Sequence, residues 1–248
     1  MEFDPDSYFG TCAICGVAQT FVRKSRAIRE TYHCVACRAS LRERSQAQEI
    51  VTLYGQPGIR NFTDLAQDPG FRRLRIYEPG TSGPLRRFLR DLPGYEQSDY
   101  VPPSGTAKGG AKIRHEDLHA LSFADESFDL VITSDIFEHV RRPMVAFAEI
   151  RRVLKTGGWH VFTVPVQAPI PACSVARVDT SGDADVHLLP PYYHGDGKGG
   201  KSLVYTDFGQ DLIASLEAIG LRTQLKFPTT PSAIANRAPT LISGRIEV

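Results

Sequence analysis

The pattern of apolar and polar positions changes near Leu74. From there, short apolar runs alternate with stretches in which apolar residues recur at helical spacing. The clearest strand is SFDLVITSD (127–135), and the clearest helix is PMVAFAEIRRVLKTGG (143–158), which Gly157 is expected to end. This alternation predicts an α/β fold with a doubly wound, mostly parallel sheet. Further predicted elements are strands at 71–78, 94–100, 159–165, 221–227 and 240–248, with helices at 84–92 and 207–220.

The domain organisation predicted from these patterns has three parts. Residues 1–48 contain paired cysteines and many arginines, residues 49–73 form the end of a helix and a polar linker, and residues 74–248 form the sheet domain. Within the last part, residues 166–204 are rich in Pro, Gly, His and Asp and show no period. A connection this long is typical of a functional lid or a disordered segment.

Composition narrows the class of protein. The 248 residues are 42% hydrophobic and 23% charged, which is enough to bury a core, and the net charge of +1 predicts no polyanionic partner. No apolar run approaches the ~20 residues that cross a membrane. The acidic start MEFDPDSYFG does not resemble a signal peptide, so we predict a cytoplasmic protein without a membrane span.

Four of the five cysteines form two close pairs, Cys12/Cys15 and Cys34/Cys37. Their spacing, C-x2-C-x18-C-x2-C, predicts a structural Zn²⁺ bound by four thiolates in a ribbon-like element. A redox or incidental pairing is the alternative interpretation. A small polar segment of this kind depends on the metal for its folding, and Cys173 is predicted to be a free thiol.

Carboxylates follow the ends of four predicted strands: Glu78, Asp99, Asp117 and Asp135. In a doubly wound sheet these positions meet at one rim, where ligands bind. The rim repels phosphate but suits amines, ribose hydroxyls or a positive centre, as in S-adenosylmethionine. Asp99 is expected to accept both ribose hydroxyls, Asp117 the adenine amino group, and Glu78 to lie near the ammonium group, while Gly80 leaves space for the cofactor.

Several motifs resemble those of the class I S-adenosylmethionine-dependent methyltransferases, in their small-molecule branch. They are EPGTSG (78–83), SD (98–99), EDLHALSFADESFDLVITSDIFEHV (116–140) and EIRRVLKTGGWHVFTVP (149–165). The resemblance implies a methyltransferase whose cofactor site also includes Thr81, Ser82 and Leu118. The family usually has three glycines as G-x-G-x-G in the first motif, whereas this chain has Gly80, Ser82 and Pro84, with Gly83 as a possible replacement.

A nucleotide-dependent dehydrogenase is the competing interpretation of this glycine turn, because an acid about 20 residues further on also marks dinucleotide sites. However, EPGTSG lacks the G-x-G-x-x-G spacing, and a carboxylate at the strand end repels pyrophosphate.

Residues for the chemical step are expected in two places. His139 in IFEHV is a candidate general base, and a purely structural histidine is the alternative. The insert 166–204 is expected to form an acceptor lid, with His194 as a second catalytic candidate. An incidental surface loop and a His/His/Asp metal site are the alternatives for this segment. Its candidate substrate residues are His187, Tyr192, Tyr193 and Asp196.

The predicted function is methylation of an O or C nucleophile on a small or carrier-borne acceptor, such as a sugar, a lipid head group or another metabolite. A nucleic-acid partner is the less favoured alternative, either for a zinc-ribbon binding protein or for an RNA methyltransferase. This alternative depends on an excess of basic over acidic residues in the N-terminal segment, where the acids are Glu30 and Glu43. The seven basic residues are Arg23, Lys24, Arg26, Arg29, Arg38, Arg42 and Arg44.

Overall fold

The computed structural model describes residues 5–80, 83–100, 114–195 and 199–246, with no side-chain description for 232–233. The strands are β1 (Ser7–Thr11), β2 (Ala18–Val22), β3 (Ile76–Pro79), β4 (Tyr95–Asp99), β5 (Arg114–His115), β6 (Phe128–Ser134), β7 (Leu154–Thr163), β8 (Val175–Ala176), β9 (Val178–Asp179), β10 (Val186–His187), β11 (Tyr193–Gly195), β12 (Lys201–Leu203), β13 (Thr206–Asp207), β14 (Leu221–Lys226) and β15 (Thr240–Arg245). The α-helices are α1 (Leu41–Tyr54), α2 (Phe62–Leu65), α3 (Arg86–Leu89), α4 (Pro143–Val153), α5 (Asp211–Ala218) and α6 (Ser232–Ala235). Short 3₁₀ turns lie at Ile28–Glu30, Phe71–Arg73 and Phe137–His139.

Seven strands form the central sheet in the order β14-β15-β7-β6-β3-β4-β5. The strands from β7 to β5 pair in parallel, and β15 runs antiparallel to both of its neighbours. Leu130, Val131 and Ile132 of β6 are fully buried, because both faces of the sheet are covered. The prediction of a doubly wound, mostly parallel α/β sheet is confirmed.

Two hydrophobic clusters cover the two faces of this sheet. Neighbouring residues of one strand belong to opposite clusters, as Ile76 and Tyr77 do in β3, because side chains alternate along a strand. One cluster joins the sheet to α1 and the N-terminal cysteines, and the other joins it to α4 and α5. The N-terminal segment is therefore part of the main core.

Helix α1 connects the N-terminal segment to the sheet. It begins with a capping box between Ser40 and Glu43 and continues past residue 48, where the sequence predicts a domain boundary. The buried Gln46 side chain donates hydrogen bonds to the carbonyls of Thr133 (2.9 Å) and Val161 (3.1 Å). These bonds hold α1 directly against β6 and β7.

The junction between α4 and β7 differs from the predicted helix over 143–158. Helix α4 ends at Val153 and β7 begins at Leu154, before Gly157. Leu154 pairs with Phe128, and the next residue, Lys155, donates to the Asp129 carboxylate at 2.8 Å. Apolar residues at 153 and 154 suit a helix and a strand equally, so the pattern did not reveal the junction.

The insert over 166–204 forms short antiparallel ribbons in its described part. Strand β9 pairs with β10, β11 pairs with β12, and β8 pairs with β13, which follows the insert. The Tyr205 amide donates to the Glu138 carbonyl (2.7 Å), and the Arg141 guanidinium donates to the Asp185 carboxylate (2.7 Å). These bonds attach the ribbons to the segment after β6. Over the described residues, none of the helices has the length and apolarity needed to span a bilayer.

Candidate active-site cleft

A cleft of about 1310 Å³ lies at the carboxyl ends of the parallel strands. Three parts of the chain line it: the strand ends, the N-terminal segment and the ribbons of the insert. Single-ligand pockets generally have volumes of about 300–1,000 Å³, so the cleft has room for a cofactor together with an acceptor.

The described residues of the predicted cofactor site share this cleft. Its lining includes Glu78, Gly80, Asp99, Asp117, Leu118 and Asp135. Glu78, Asp99 and Asp117, which lie at or just after the ends of β3, β4 and β5, are here called the strand-end wall. Thr81 and Ser82 lie outside the described residues.

Glu78 is a buried carboxyl group at the end of β3, with only 6% of its surface exposed. Burial raises its pKa to about 7, although the Tyr95 hydroxyl, which donates to it at 2.6 Å, acts in the opposite direction. A nearby cationic ligand favours the ionised form of such a carboxyl group. Glu78 is therefore suited to bind an ammonium group.

Gly80 places the backbone at the edge of the cleft. Its φ of +99° is accessible to glycine, and no atom lies within 4 Å of the position that a Cβ would occupy. The turn is held because the Gly80 amide donates to the Ser98 carbonyl (2.8 Å) and the Gln97 side chain donates to the Gly80 carbonyl (2.7 Å). A side chain at this position would enter the space beside Glu78 and Asp99.

Asp117 is held in a fixed orientation by His119. The Asp117 carboxylate accepts hydrogen bonds from the His119 amide (2.9 Å) and the His119 Nδ1 (2.7 Å), while the His119 Nε2 accepts from the Arg142 amide (3.1 Å). The ring is therefore the neutral Nδ1-protonated tautomer. Partial burial raises the pKa of Asp117, but the bonds from His119 outweigh it and lower the pKa overall.

Asp135 joins the N-terminal segment to the end of β6. It forms ion pairs with Arg29 (2.9 Å) and Arg42 (3.2 Å), and it accepts a hydrogen bond from the Thr163 hydroxyl at 2.9 Å. Burial raises the pKa of this carboxyl group, but the two arginines outweigh burial and lower it. Asp135 lies in the cleft lining, and its contacts within the protein are mainly those of a link between two parts of the chain.

The two predicted catalytic histidines lie together, with their ring centroids 5.1 Å apart. His139 Nδ1 donates to the Leu203 carbonyl at 2.8 Å, which leaves its Nε2 as an acceptor. Between the rings lies Glu138, which is 1% exposed, lies 3.6 Å from His139 Nε2 and 3.7 Å from His194 Nδ1, and accepts no side-chain hydrogen bond from the described residues. The sequence analysis did not identify Glu138, although it directly precedes His139.

The far wall of the cleft is here defined as Arg29, Arg42, Glu138, His139 and His194, all of which are in its lining. Two of these residues come from the N-terminal segment, which the sequence did not place at the cleft. The ion pairs to Asp135 account for the positions of both arginines. No local motif around Arg29 or Arg42 could have revealed a partner more than 90 residues away.

The remaining substrate candidates of the insert divide into two groups. Tyr192 lines the cleft, with its ring centroid 5.1 Å from that of His194, and the Arg177 guanidinium lies 5.3 Å from the Tyr192 ring. Tyr193 and His187 are exposed and are not part of the cleft lining. Asp196 lies outside the described residues.

The four N-terminal cysteines come together in two similar turns. The Cys12 and Cys34 amides donate to the carbonyls of Val17 and Ala39, at 2.9 Å in both turns. All four Sγ atoms lie within 4.8 Å of one another. The closest pairs, Cys12–Cys37 and Cys15–Cys34, are 3.5 Å apart, much longer than the ~2.05 Å of a disulfide. Four thiolates around a Zn²⁺ at about 2.3 Å have similar sulfur separations, so the donor set fits zinc.

The basic residues of the N-terminal segment have different environments. Arg29 and Arg42 pair with Asp135, and Arg44 is 5% exposed, with its guanidinium 3.7 Å from the centroid of the Phe21 ring. Lys24, Arg26 and Arg38 are exposed. The cluster that suggested a nucleic-acid surface is therefore partly used in internal contacts.

Comparison with known proteins supports the same interpretation of the sheet domain. Residues 85–162 match a protein-family model described as "Methyltransferase domain". The matched segment runs from the helix after the glycine turn into β7. It includes Asp99, Asp117 and His139.

Curated proteins and a solved structure show further similarities to this chain. A ubiquinone biosynthesis O-methyltransferase from Roseobacter denitrificans is 32% identical over 108 residues, which are 40% of this chain and 44% of that protein. An uncharacterized methyltransferase from Mycobacterium tuberculosis is 29% identical over 114 residues, 46% of this chain and 42% of that protein. The chain thus spans less than half the length of these relatives. An S-adenosylmethionine-dependent methyltransferase structure from Mesorhizobium loti is 19% identical, with a TM-score of 0.45 and coverage of 75% of this chain and 97% of that one.

Proposed function

We propose that this chain transfers the methyl group of S-adenosylmethionine, because residues 85–162 match a family model described as "Methyltransferase domain". The acceptor is an O or C nucleophile of a small or carrier-borne molecule. The observation that carries this proposal is the strand-end wall, since Glu78, Asp99 and Asp117 line a single cleft.

The cofactor would lie along the strand-end wall. In this arrangement Asp99, at the end of β4, accepts the two ribose hydroxyls, and the His119-oriented Asp117 accepts the adenine amino group. The buried Glu78 pairs with the ammonium group, and Gly80 leaves space beside it. With these contacts, the sulfonium methyl group would lie on the side of the cofactor that faces the far wall.

The reaction is an in-line displacement at the methyl carbon. The acceptor atom forms a bond to this carbon while the sulfur–carbon bond breaks and the sulfur retains the electron pair. Positioning is the main requirement, and both sides of the cleft supply it. Because Nδ1 of His139 donates to the Leu203 carbonyl, Nε2 carries the lone pair of the neutral ring and can accept the proton of a hydroxyl acceptor.

The acceptor would enter between the far wall and the ribbons of the insert. Tyr192 provides an aromatic surface there, and a polar rim is formed by Arg142, Lys201 and Tyr205. This environment suits a polar metabolite such as a sugar, a lipid head group or a phenol. The four-cysteine site, in this proposal, holds a structural Zn²⁺ that keeps Arg29 and Arg42 at the cleft.

Isothermal titration calorimetry with S-adenosylhomocysteine tests the cofactor site. The parent protein is expected to bind one molecule per chain, and Asp99→Ala is expected to weaken binding at least tenfold, because two ribose hydroxyls lose their acceptor. Asp91→Ala is the matched control, since Asp91 is exposed and outside the cleft. An absence of binding by the parent, or equal binding by Asp99→Ala, would contradict the proposal.

A nucleic-acid acceptor is the second candidate, and the exposed Lys24 and Arg26 favour it. Retention on RNA that weakens with salt, and that is lost in Lys24→Glu/Arg26→Glu, would support an RNA methyltransferase. Cofactor binding without such retention would support the small-molecule acceptor.

A further inference from the structure

Glu138 is the most unusual buried group of the cleft. Only 1% of its surface is exposed, and neither carboxylate oxygen accepts a hydrogen bond within the described part of the chain. A buried carboxylate is stable only beside positive charge or hydrogen-bond donors. In the described part of the chain, two imidazoles lie at ion-pair distance from Glu138 but beyond hydrogen-bond distance, so a cation placed among the three groups would complete its surroundings.

Two imidazole nitrogens face the same carboxylate oxygen. The distance from Glu138 Oε1 to His139 Nε2 is 3.6 Å, and the distance to His194 Nδ1 is 3.7 Å. Both distances are too long for a hydrogen bond, and the three donor atoms lie within 4.8 Å of one another. The space among them is bounded by electron-pair donors on three sides.

We propose that Glu138, His139 and His194 bind a divalent first-row transition-metal ion whose open coordination positions face the acceptor end of the cleft. Two histidines and one carboxylate are a known ligand set for such ions and leave positions free for other ligands. Metal–ligand bonds of about 2.0–2.2 Å correspond to donor separations of about 3.0–3.5 Å. The observed separations from Glu138 are therefore slightly wider than a bound ion would require.

The surroundings of the cluster support this assignment. The Leu203 carbonyl fixes the His139 ring so that Nε2 faces Glu138, which is the usual outer contact of a metal-binding histidine. The Tyr205 amide bond to the Glu138 carbonyl brings the insert, and with it His194, to this position. All three ligands line the cleft, so an acceptor can reach the ion from the open side.

The chemical role of the ion rests on the proposed function. When bound, such an ion would favour ionisation of an acceptor hydroxyl beside it, so that the hydroxyl proton could pass to solvent while the oxygen bonds to the methyl carbon and the sulfur–carbon bond breaks. The sulfur keeps the electron pair, and one proton is released per methyl group transferred. His139 is then a metal ligand, in place of the general base considered above, and the favoured acceptor atom is oxygen.

Mn²⁺ titration followed by electron paramagnetic resonance tests the site in the full chain. Mn²⁺ favours oxygen and nitrogen donors over thiolates, so it reports on this cluster in the presence of a zinc-filled four-cysteine site. One bound Mn²⁺ per chain is expected, with enhanced water-proton relaxation from its open positions. Glu138→Gln and His194→Asn should each weaken binding at least tenfold, and His187→Asn, on the exposed β10 ribbon, should not change it.

Two results would overturn the metal site. One is the absence of bound Mn²⁺, Co²⁺ or Zn²⁺ beyond the content of the four cysteines, and the other is equal Mn²⁺ affinity in the parent, Glu138→Gln and His194→Asn. Bound Mn²⁺ without relaxation enhancement would contradict the open positions. Zinc content and thermal unfolding of each variant establish that it is folded.

Calorimetry with S-adenosylhomocysteine on the same proteins separates the two proposals. If the parent protein binds Mn²⁺ but not S-adenosylhomocysteine, the methyltransferase proposal is contradicted and the metal site is retained. Binding of S-adenosylhomocysteine without binding of Mn²⁺ would contradict the metal site and leave the methyltransferase proposal.

Discussion

The two sides of the cleft are constructed differently. The strand-end wall takes its carboxylates from successive strand ends, so the sheet itself brings them together. The far wall combines side chains from residues 29–42, 138–139 and 194, and it depends on contacts such as Arg29–Asp135, between residues that are distant in sequence. The strand-end wall therefore follows from the fold, whereas the far wall follows from particular pairs of residues.

The largest effect on the two sides of the cleft is expected from disrupting the proposed Zn²⁺ site of the four cysteines. Cys12→Ser should abolish cooperative folding of the N-terminal segment, because structural zinc contributes on the order of 10 kcal/mol to such elements and Cys12 is fully buried in the main core. Circular dichroism during thermal unfolding measures the cooperativity and the midpoint temperature of the transition. Cys173→Ser is the control, since Cys173 is exposed and outside this cluster. Unfolding of Cys12→Ser at the parent's temperature would contradict the structural role.

A smaller loss of stability is expected from removing the ion pairs of Asp135 with Arg29 and Arg42. Asp135→Asn leaves Arg29 and Arg42 without their carboxylate, and the free energy of unfolding in urea should fall by about 1.5–3 kcal/mol, because these partly buried side chains lose charge-assisted bonds. Asparagine tolerates the left-handed backbone at this position (φ +50°), so the change is electrostatic.

Asp91→Asn is the matched control for Asp135→Asn. Its carboxylate is 81% exposed and lies 3.9 Å from Arg90, so its loss should change stability by less than about 1 kcal/mol. Equal destabilisation by the two substitutions would show that Asp135 is an ordinary surface acid and that the far wall does not depend on it.

The smallest effect concerns the pH dependence of the strand-end wall. Glu78, with a pKa of about 7, must be ionised to pair with the cofactor's ammonium group, so affinity for S-adenosylhomocysteine should rise about tenfold from pH 6 to pH 8. Calorimetry across this range measures the rise, and Glu78→Gln should flatten it. An unchanged pH profile in Glu78→Gln would show that another group controls binding.

The raised pKa of Glu78 also predicts how the stability of the ligand-free protein changes with pH. The folded state holds the proton of Glu78 more tightly than the unfolded state, whose pKa is near 4.5. The contribution of this group to stability is therefore present below that value and is lost as pH rises toward about 7.

Sequence patterns predicted the strand-end wall because its signals are local. Each acid lies at or just after a predicted strand end, and Gly80 follows Glu78 closely, so the predicted sheet topology indicated that they would meet at one rim. The C-x2-C spacing of the paired cysteines is also a local signal. The ribbons of the insert and the end of α4 at Val153 could not be predicted in this way, because short strands and an apolar junction have no distinct period.

The far wall was only partly predictable. His139 and His194 were identified as candidates by residue type, but their proximity depends on the pairing of β11 with β12 and on the Tyr205–Glu138 backbone bond. Asp135 was predicted to contact the cofactor, and its ion pairs with two arginines had no signal in its own neighbourhood. Which residues pair over such sequence distances is determined by the tertiary structure.

The contacts of α1 also constrain when the chain can reach its final form during synthesis. Ser45 bonds to Thr240 at 3.0 Å, so a helix made early is completed by a strand that is synthesised 195 residues later. Contacts of such long range slow folding and leave apolar surface open to aggregation. A nascent chain from which β15 has not yet emerged thus keeps one side of α1 uncovered.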